Sequence, residues 1–344
     1  VLLSVAQVWR ATAAPYGPLF VIITKAVAAV FGTSLISEIL ALRLLELMGV
    51  ALIITSLCRL ARIFGADPGI ALWLGVLSPL ALYSFISSGH NDALMLGLLL
   101  TGVTLAMERH PVAGVVLCAL GAMIKLPAAA GIVFIIAGQF TGPRGERRWA
   151  AMAKLIVAPV VTVVVVTLAT GLGWRWLGPS ALRIPAQLRI LATPAVSIGA
   201  SVYHVLHLVG LPVTQHACVT VLQTLCGAAG AAVVIWLVIK ARTLDVTRTL
   251  GIALLVIVLV GPTLWPWYFT WGLILLAATP AQRAKPLAVV AGLAMFLVGP
   301  SGSPMLGGID YLAVTLACAA GLRWLLKDQR WMDVVGVGRR VVTS

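Results

Sequence analysis

The stretch FISSGHNDALMLGLLLTGVTLAMERH, residues 85–110, decides how the chain is read. Ser87, Ser88, His90, Asn91 and Asp92 open it, an apolar run follows, and Glu108, Arg109 and His110 close it. A long apolar run with charged groups only at its ends reads as a membrane helix. Runs of this kind recur along the whole chain, without the short alternating segments of a membrane β-barrel.

Composition agrees with that reading. Hydrophobic residues make up 61% and charged residues 10%, and the mean hydropathy is +1.08. A soluble domain carries about 25% charged residues. The fold class expected is therefore an all-α integral membrane protein, a polytopic helix bundle. The net charge of +14 does not point to nucleic acid. Its Lys and Arg sit in short connections between apolar runs, as orientation signals do, and no basic patch is interleaved with aromatics. The cysteines are Cys58, Cys118, Cys218, Cys226 and Cys318, scattered and mostly within apolar runs. They read as small buried hydrophobes, not as a metal or disulfide framework.

About eleven spans are expected, at 34–58, 70–87, 91–107, 112–125, 127–140, 151–172, 216–239, 249–264, 268–281, 286–300 and 309–326. Residues 18–31, with Lys25, read as a helix lying in the interface. The whole forms one polytopic unit. Residues 1–33 are extracytoplasmic or interfacial, 34–326 are the bundle with an outer segment at 173–215, and 327–344 are a basic cytoplasmic tail. The basic connections around Arg59 and Arg62, Arg109, Arg144 to Lys154, Lys240 to Arg248, Arg283 and the tail alternate onto one side, the cytoplasmic one. A multi-pass plasma-membrane protein with a cytoplasmic C-terminus follows. Residues 111–140 read either as two short spans, which keep this parity, or as one kinked span.

Several polar groups fall on the outer side. Asn91 or Asp92 can cap the helix they precede, or, with His90, they can hold sugar hydroxyls and assist proton transfer. His90 and Asp92 are too few to predict a metal site. Lys125 either snorkels to the interface or faces an anionic substrate. Arg183 and Arg189 either clamp a lipid phosphate or touch headgroups. Arg43 and Glu46, three apart, read as an intramembrane ion pair. His204 and His207 read as surface groups. The WPWY turn, with Trp265, Trp267 and Tyr268, followed by Trp271, suits either an aromatic belt or stacking on a sugar ring.

The blocks SGHNDALMLGLLLTGVTLA, GAMIKLP and WPWYFTWGL, with APYGPLF and LATPAVS in the same order, resemble the actinobacterial polyprenol-phosphomannose-dependent alpha-1,6-mannopyranosyltransferases. The resemblance implies a GT-C membrane fold. It implies a glycosyltransferase that takes mannose from polyprenyl-phosphate mannose and extends a lipid-linked mannan acceptor, the core of lipomannan and lipoarabinomannan. The donor carries its own activated phosphate, so no cofactor is expected. Asp92 and His90 become catalytic candidates. Asn91, Lys125, Arg183, Arg189, Tyr16, Trp267 and Tyr268 become substrate-binding candidates. The first span and the acidic first external loop of such enzymes would precede Val1, so the general base is expected upstream of Val1, with Asp92 a weaker substitute. A lipid-linked sugar transporter or flippase, or an inactive remnant or accessory subunit, are the competing readings.

Overall fold

The computed structural model describes residues 16–32, 34–139, 146–178, 193–242 and 245–280. These segments are helical, with no strand among the described residues. In chain order the helices are α1 (Pro18–Phe31), α2 (Leu35–Ile63), α3 (Pro68–Leu74), α4 (Pro79–Ser87), α5 (Asp92–Met107), α6 (Pro111–Ala122), α7 (Leu126–Gly138), α8 (Glu146–Thr170), α9 (Pro194–Leu208), α10 (Gln215–Lys240), α11 (Val246–Val260) and α12 (Pro266–Ala277).

Helix α5 is the centre of the bundle. It is apolar on every face, and a helix of that kind is buried all round. Asp92 through Gly97 are buried without a break, as are Leu99, Leu100 and Val103. It packs against α2 on one side and α6 on the other. The α2–α5 crossing is as close as backbones allow. A Cβ on Gly49 would fall 2.5 Å from the Ala93 carbonyl carbon, and one on Gly97 would fall 2.7 Å from the Gly49 carbonyl oxygen. Small residues at a crossing replace the hydrophobic drive that lipid does not supply. Ser56 and Thr101 add a hydroxyl–hydroxyl bond of 3.0 Å between the same two helices.

Three helices are long and apolar enough to cross a membrane: Leu35–Ile63, Trp149–Thr170 and Gln215–Lys240. Of their most apolar windows only 22%, 22% and 11% are buried, which leaves apolar side chains facing outward, as lipid contact requires. The span expected at 70–87 is instead two helices bent by 57°. Pro79 cannot donate to the preceding turn, and the Ser78 hydroxyl caps the new helix by accepting from Ala81 N–H at 3.3 Å. Residues 111–140 form two separate helices, α6 and α7, reversing at Met123–Lys125. At about 1.5 Å per residue these are shorter than the ~30 Å apolar core. α5, α11 and α12 also fall below full length. Eleven crossings thus remain an expectation. The described residues hold three long crossings, four if the bent pair counts as one. The runs 286–300 and 309–326 and the basic tail lie outside the described residues.

Charged residues pair at both ends of α5. Arg59, at the end of α2, forms a two-pronged pair with Glu108, just past α5, its Nε donating to Oε1 at 2.9 Å. At the opposite end gather Arg43, the His90 turn, Lys125 and the WPWY turn. α1 docks there too: Gly17 N–H donates to the Ile124 carbonyl and Leu19 N–H to that of Met123, both at 3.1 Å. Cys118 and Cys218 are buried, Cys58 and Cys226 partly so, and all four are free thiols. Cys318 lies outside the described residues.

Candidate functional site

The polar packet that opens α5 does not cap it. Asn91 stands at the N-cap position with helical dihedrals (φ −61°, ψ −7°) and makes no side-chain cap bond. Asp92 is the first residue of α5, and its carboxylate turns inward instead. Lys125 Nζ donates to Asp92 Oδ1 at 3.0 Å and to Oδ2 at 2.8 Å. Trp271 Nε1 donates to the same Oδ1 at 2.6 Å. The Asp92 and Lys125 side chains are 1% and 13% exposed. The Lys125 ammonium, expected to snorkel or to face an anionic substrate, is paired here with Asp92. This buried carboxylate thus has three charge-assisted bonds, the kind of satisfaction that burial demands. The α5 dipole favours its charge further.

Local structure puts the partners there. Lys125 sits in the tight reversal between α6 and α7, at extended dihedrals (φ −152°, ψ 128°), just ahead of Pro127. Trp271 is on α12, one helical turn after Trp267 and Tyr268, so the three share a face. Aromatic rings close the arrangement. Lys125 Nζ lies 4.7 Å from the centre of the Tyr268 ring and 5.5 Å from that of Trp271. Tyr268 and Trp271 are 4.1 Å apart. A cation over such faces is held by the ring quadrupole as well as by its anion.

His90 stacks on Trp267 at 3.8 Å and 22°. Trp267 stacks in turn on Trp265 at 4.8 Å. Burial pushes the His90 imidazole below its usual pKa, with Lys125 and Arg43 adding to the push and the Asp92 charge opposing it. It is therefore neutral at pH 7, able to donate from one ring nitrogen and accept at the other. The turn that presents it is tied from α2. Arg43 donates to the carbonyls of Ile86 at 3.1 Å and Ser87 at 2.8 Å, and pairs with Glu46 at 3.4 Å. Gly89 has φ +66°, and a Cβ there would meet the Arg43 guanidinium at 2.2 Å, so only glycine lets the turn lie against this pair.

Of the residues predicted from sequence, Tyr16, His90, Asn91, Asp92, Lys125, Trp267 and Tyr268 gather at this one end. Tyr16 is held there by the Gly17–Ile124 bond and lies close enough for the charges of Lys125 and Asp92 to act on its hydroxyl. Arg183 and Arg189 lie outside the described residues. His204 and His207 are elsewhere, packed on Tyr203 within α9. Two participants were not singled out from sequence: Trp271 as the donor to Asp92, and Arg43 as the clamp on the His90 turn. Trp271's place on the face of Trp267 and Tyr268 was the available signal; nothing local points from Arg43 to Ser87. Among the described residues, no group of three His, Cys, Asp or Glu side chains is placed to hold a metal ion.

Comparison with known proteins carries the reading further. Residues 1–140 match the alpha-(1->6)-mannopyranosyltransferase N-terminal domain family, and residues 195–327 match the MptB C-terminal domain family. Alpha-(1->6)-mannopyranosyltransferase A of Mycobacterium tuberculosis is 30% identical over 335 residues, covering 92% of this chain and 63% of that protein. Alpha-(1->6)-mannopyranosyltransferase A of Corynebacterium glutamicum is 30% identical over 351 residues, covering 94% and 69%. Alpha-(1->6)-mannopyranosyltransferase B of the same species is 26% identical over 312 residues, covering 84% and 51%. The chain thus spans less than two thirds of the length of several relatives, the mycobacterial one above included. No solved structure matches it. With both domain families matched in order and a 30% identical relative aligned over most of its length, the chain belongs to the alpha-(1->6)-mannopyranosyltransferase family.

Proposed function

We propose that the chain is a GT-C-type glycosyltransferase that moves mannose from polyprenyl-phosphate mannose onto a lipid-linked alpha-1,6-mannan at the outer face of the plasma membrane. The observation that carries this reading is the buried Asp92–Lys125 pair, ringed by Trp271, Tyr268 and the His90–Trp267 stack, at one end of a lipid-facing bundle. A polar site at the end of membrane helices suits a substrate whose tail stays in lipid while its head reacts above it. Aromatic faces suit a pyranose.

The reaction is a displacement at the anomeric carbon. An acceptor hydroxyl attacks, a carboxylate takes its proton, and the polyprenyl phosphate leaves with the bonding electrons. Both Asp92 oxygens are already engaged by Lys125 and Trp271. That supports Asp92 as the residue that orients Lys125, with the base supplied by a carboxylate other than Asp92. An ammonium has three N–H groups. Two reach Asp92, which leaves one for a phosphate oxygen of the leaving group. Asp92 offsets the Lys125 charge, so Arg183 and Arg189 are assigned the further positive charge that a departing phosphate needs. His90 orders the sugar or acceptor, and Tyr16, Trp267 and Tyr268 flank it. The donor is already activated, so no cofactor takes part.

The test is mannosyl transfer in membranes containing this chain, beside a form extended upstream, with polyprenyl-phosphate mannose and a short alpha-1,6-mannoside. Transfer by the extended form alone supports the reading with an upstream base. Transfer by both places the base within these residues. The broken helix pair at residues 68–87 favours a second reading, a lipid-linked sugar transporter. Translocation of the donor without transfer by either form would establish that one instead.

A further inference from the structure

Two buried donors at the site have no acceptor. The side-chain amide Nδ2 of Asn91 and the indole Nε1 of Trp267 are both shielded from solvent and unbonded. Asn91 is 7% exposed, so its amide is enclosed, not merely facing a boundary. A buried donor left empty costs as much as a lost hydrogen bond, and such atoms in a folded protein call for an explanation. His90 connects the two residues. Asn91 follows His90 directly, and His90 lies flat on Trp267 at 3.8 Å.

The surroundings decide what oxygen the donors fit. The cations near these residues are engaged: Lys125 with Asp92, and Arg43 with Glu46 and two carbonyls. What remains is uncharged: two N–H donors, and the stacked rings of His90, Trp267 and Trp265. A phosphate finds its cation at Lys125; against this wall itself it would meet only neutral donors and rings, in a place with little water. A pyranose hydroxyl brings an acceptor oxygen without a charge, and its ring carbons suit aromatic faces.

We propose that Asn91 Nδ2 and Trp267 Nε1 form a two-donor subsite for a hydroxyl oxygen of an uncharged pyranose, and that this pair, not the Asp92–Lys125 pair, sets which sugar is accepted. The inference rests on the transferase reading above. The hydroxyl belongs to the mannose of the donor or to the terminal mannose of the acceptor, and the two sources are separable.

The experiment is a substrate–variant cycle on the membrane-embedded protein in its transfer-competent form. Wild type, Trp267→Phe and Asn91→Ala are each given two series: polyprenyl-phosphate mannoses lacking one hydroxyl, and alpha-1,6-mannosides lacking one hydroxyl. Removing the contacted hydroxyl should lower wild-type kcat/KM roughly tenfold or more, but by only about threefold in either variant, which keeps one of the two bonds. The series in which this collapse occurs identifies donor or acceptor as the source. Because the readout is a ratio within each variant, partial loss of folded protein cancels. Losses that multiply independently at every hydroxyl would overturn the subsite. So would Trp267→Phe weakening the binding of polyprenyl phosphate without sugar as much as that of the mannosylated donor. A wild type that transfers no mannose at all overturns the transferase reading itself, and is told apart from these outcomes by the missing turnover.

Discussion

At the first residue of α5, Asp92 meets Lys125 with side chains 1% and 13% exposed; just past the last, Glu108 meets Arg59 with side chains 30% and 40% exposed. The residue types are nearly the same, yet the physics differs. Asp92 sits where the helix dipole favours an anion, and Glu108 where it disfavours one and needs Arg59 to offset it. The first pair is screened from water and salt and is bound to an indole as well. The second lies in reach of counter-ions. An isolated buried pair is weak evidence of stability, since two charges had to leave water. Its persistence here, among aromatic rings and beside two unbonded donors, fits a site more than a strut. The exposed pair marks the end of a helix, and a motif search that weighed the two alike would miss the distinction.

The comparison can be broken most forcefully at Lys125. Lys125→Met leaves a buried carboxylate without its cation and should cost about 3–5 kcal/mol. Thermal unfolding in detergent reads the loss, and Asp92→Asn added to it should restore part of the stability. Equal damage from the single and double variants would mean that the pair is not coupled. Trp271→Phe removes one bond to a charged oxygen and should cost about 1.5–3 kcal/mol. It should also lower transfer, since Asp92 then holds Lys125 less firmly; unchanged stability and transfer would remove Trp271 from the site.

Acidity sharpens the contrast further. His90 is held neutral in the folded protein, whereas the unfolded chain protonates it at the ordinary value near 6.5. The unfolded state then binds more protons, so stability is retained above that pH and falls as pH drops below it, by at most about 1.4 kcal/mol per pH unit from this group. His90→Gln should remove that component from a stability–pH series. A wild-type and variant that lose stability in parallel would show the imidazole to be free to protonate. The smallest effect is expected at the other end of α5. Arg59→Met should cost about 0–1 kcal/mol, shrink with added salt, and leave transfer intact. A loss as large as that of Lys125→Met would erase the distinction between the two ends.

Much of this was legible before any coordinates. Apolar runs and alternating basic connections place Asp92, Lys125 and the WPWY turn at one end, and the structure brings them into contact there. What the sequence hid was the partnering. Asp92 and Lys125 are 33 residues apart, and Asp92 and Trp271 are 179 apart. Periodicity says which end a residue occupies but not which neighbour it faces. The capping expectation failed at Asp92 for a related reason. A cap bond is worth about 1 kcal/mol, and a buried cation outbids it for the same oxygens. Helix length was also overread at 70–87, because Pro79 interrupts the helix inside an apolar stretch where hydropathy continues.

The Asp92–Lys125 bond also bears on how the chain is made. A membrane protein is threaded in from its N-terminus, so Asp92 reaches the bilayer before Lys125, the cation it pairs with. Its cation arrives on the very next reversal, at the end of α6, which packs directly on α5. The two helices thus enter as a hairpin whose acid and base cancel before the helices that follow exist. Trp271 completes the bond set only when α12 is in place. Among the described helices α12 joins last, and it is the one that completes the bonding of Asp92.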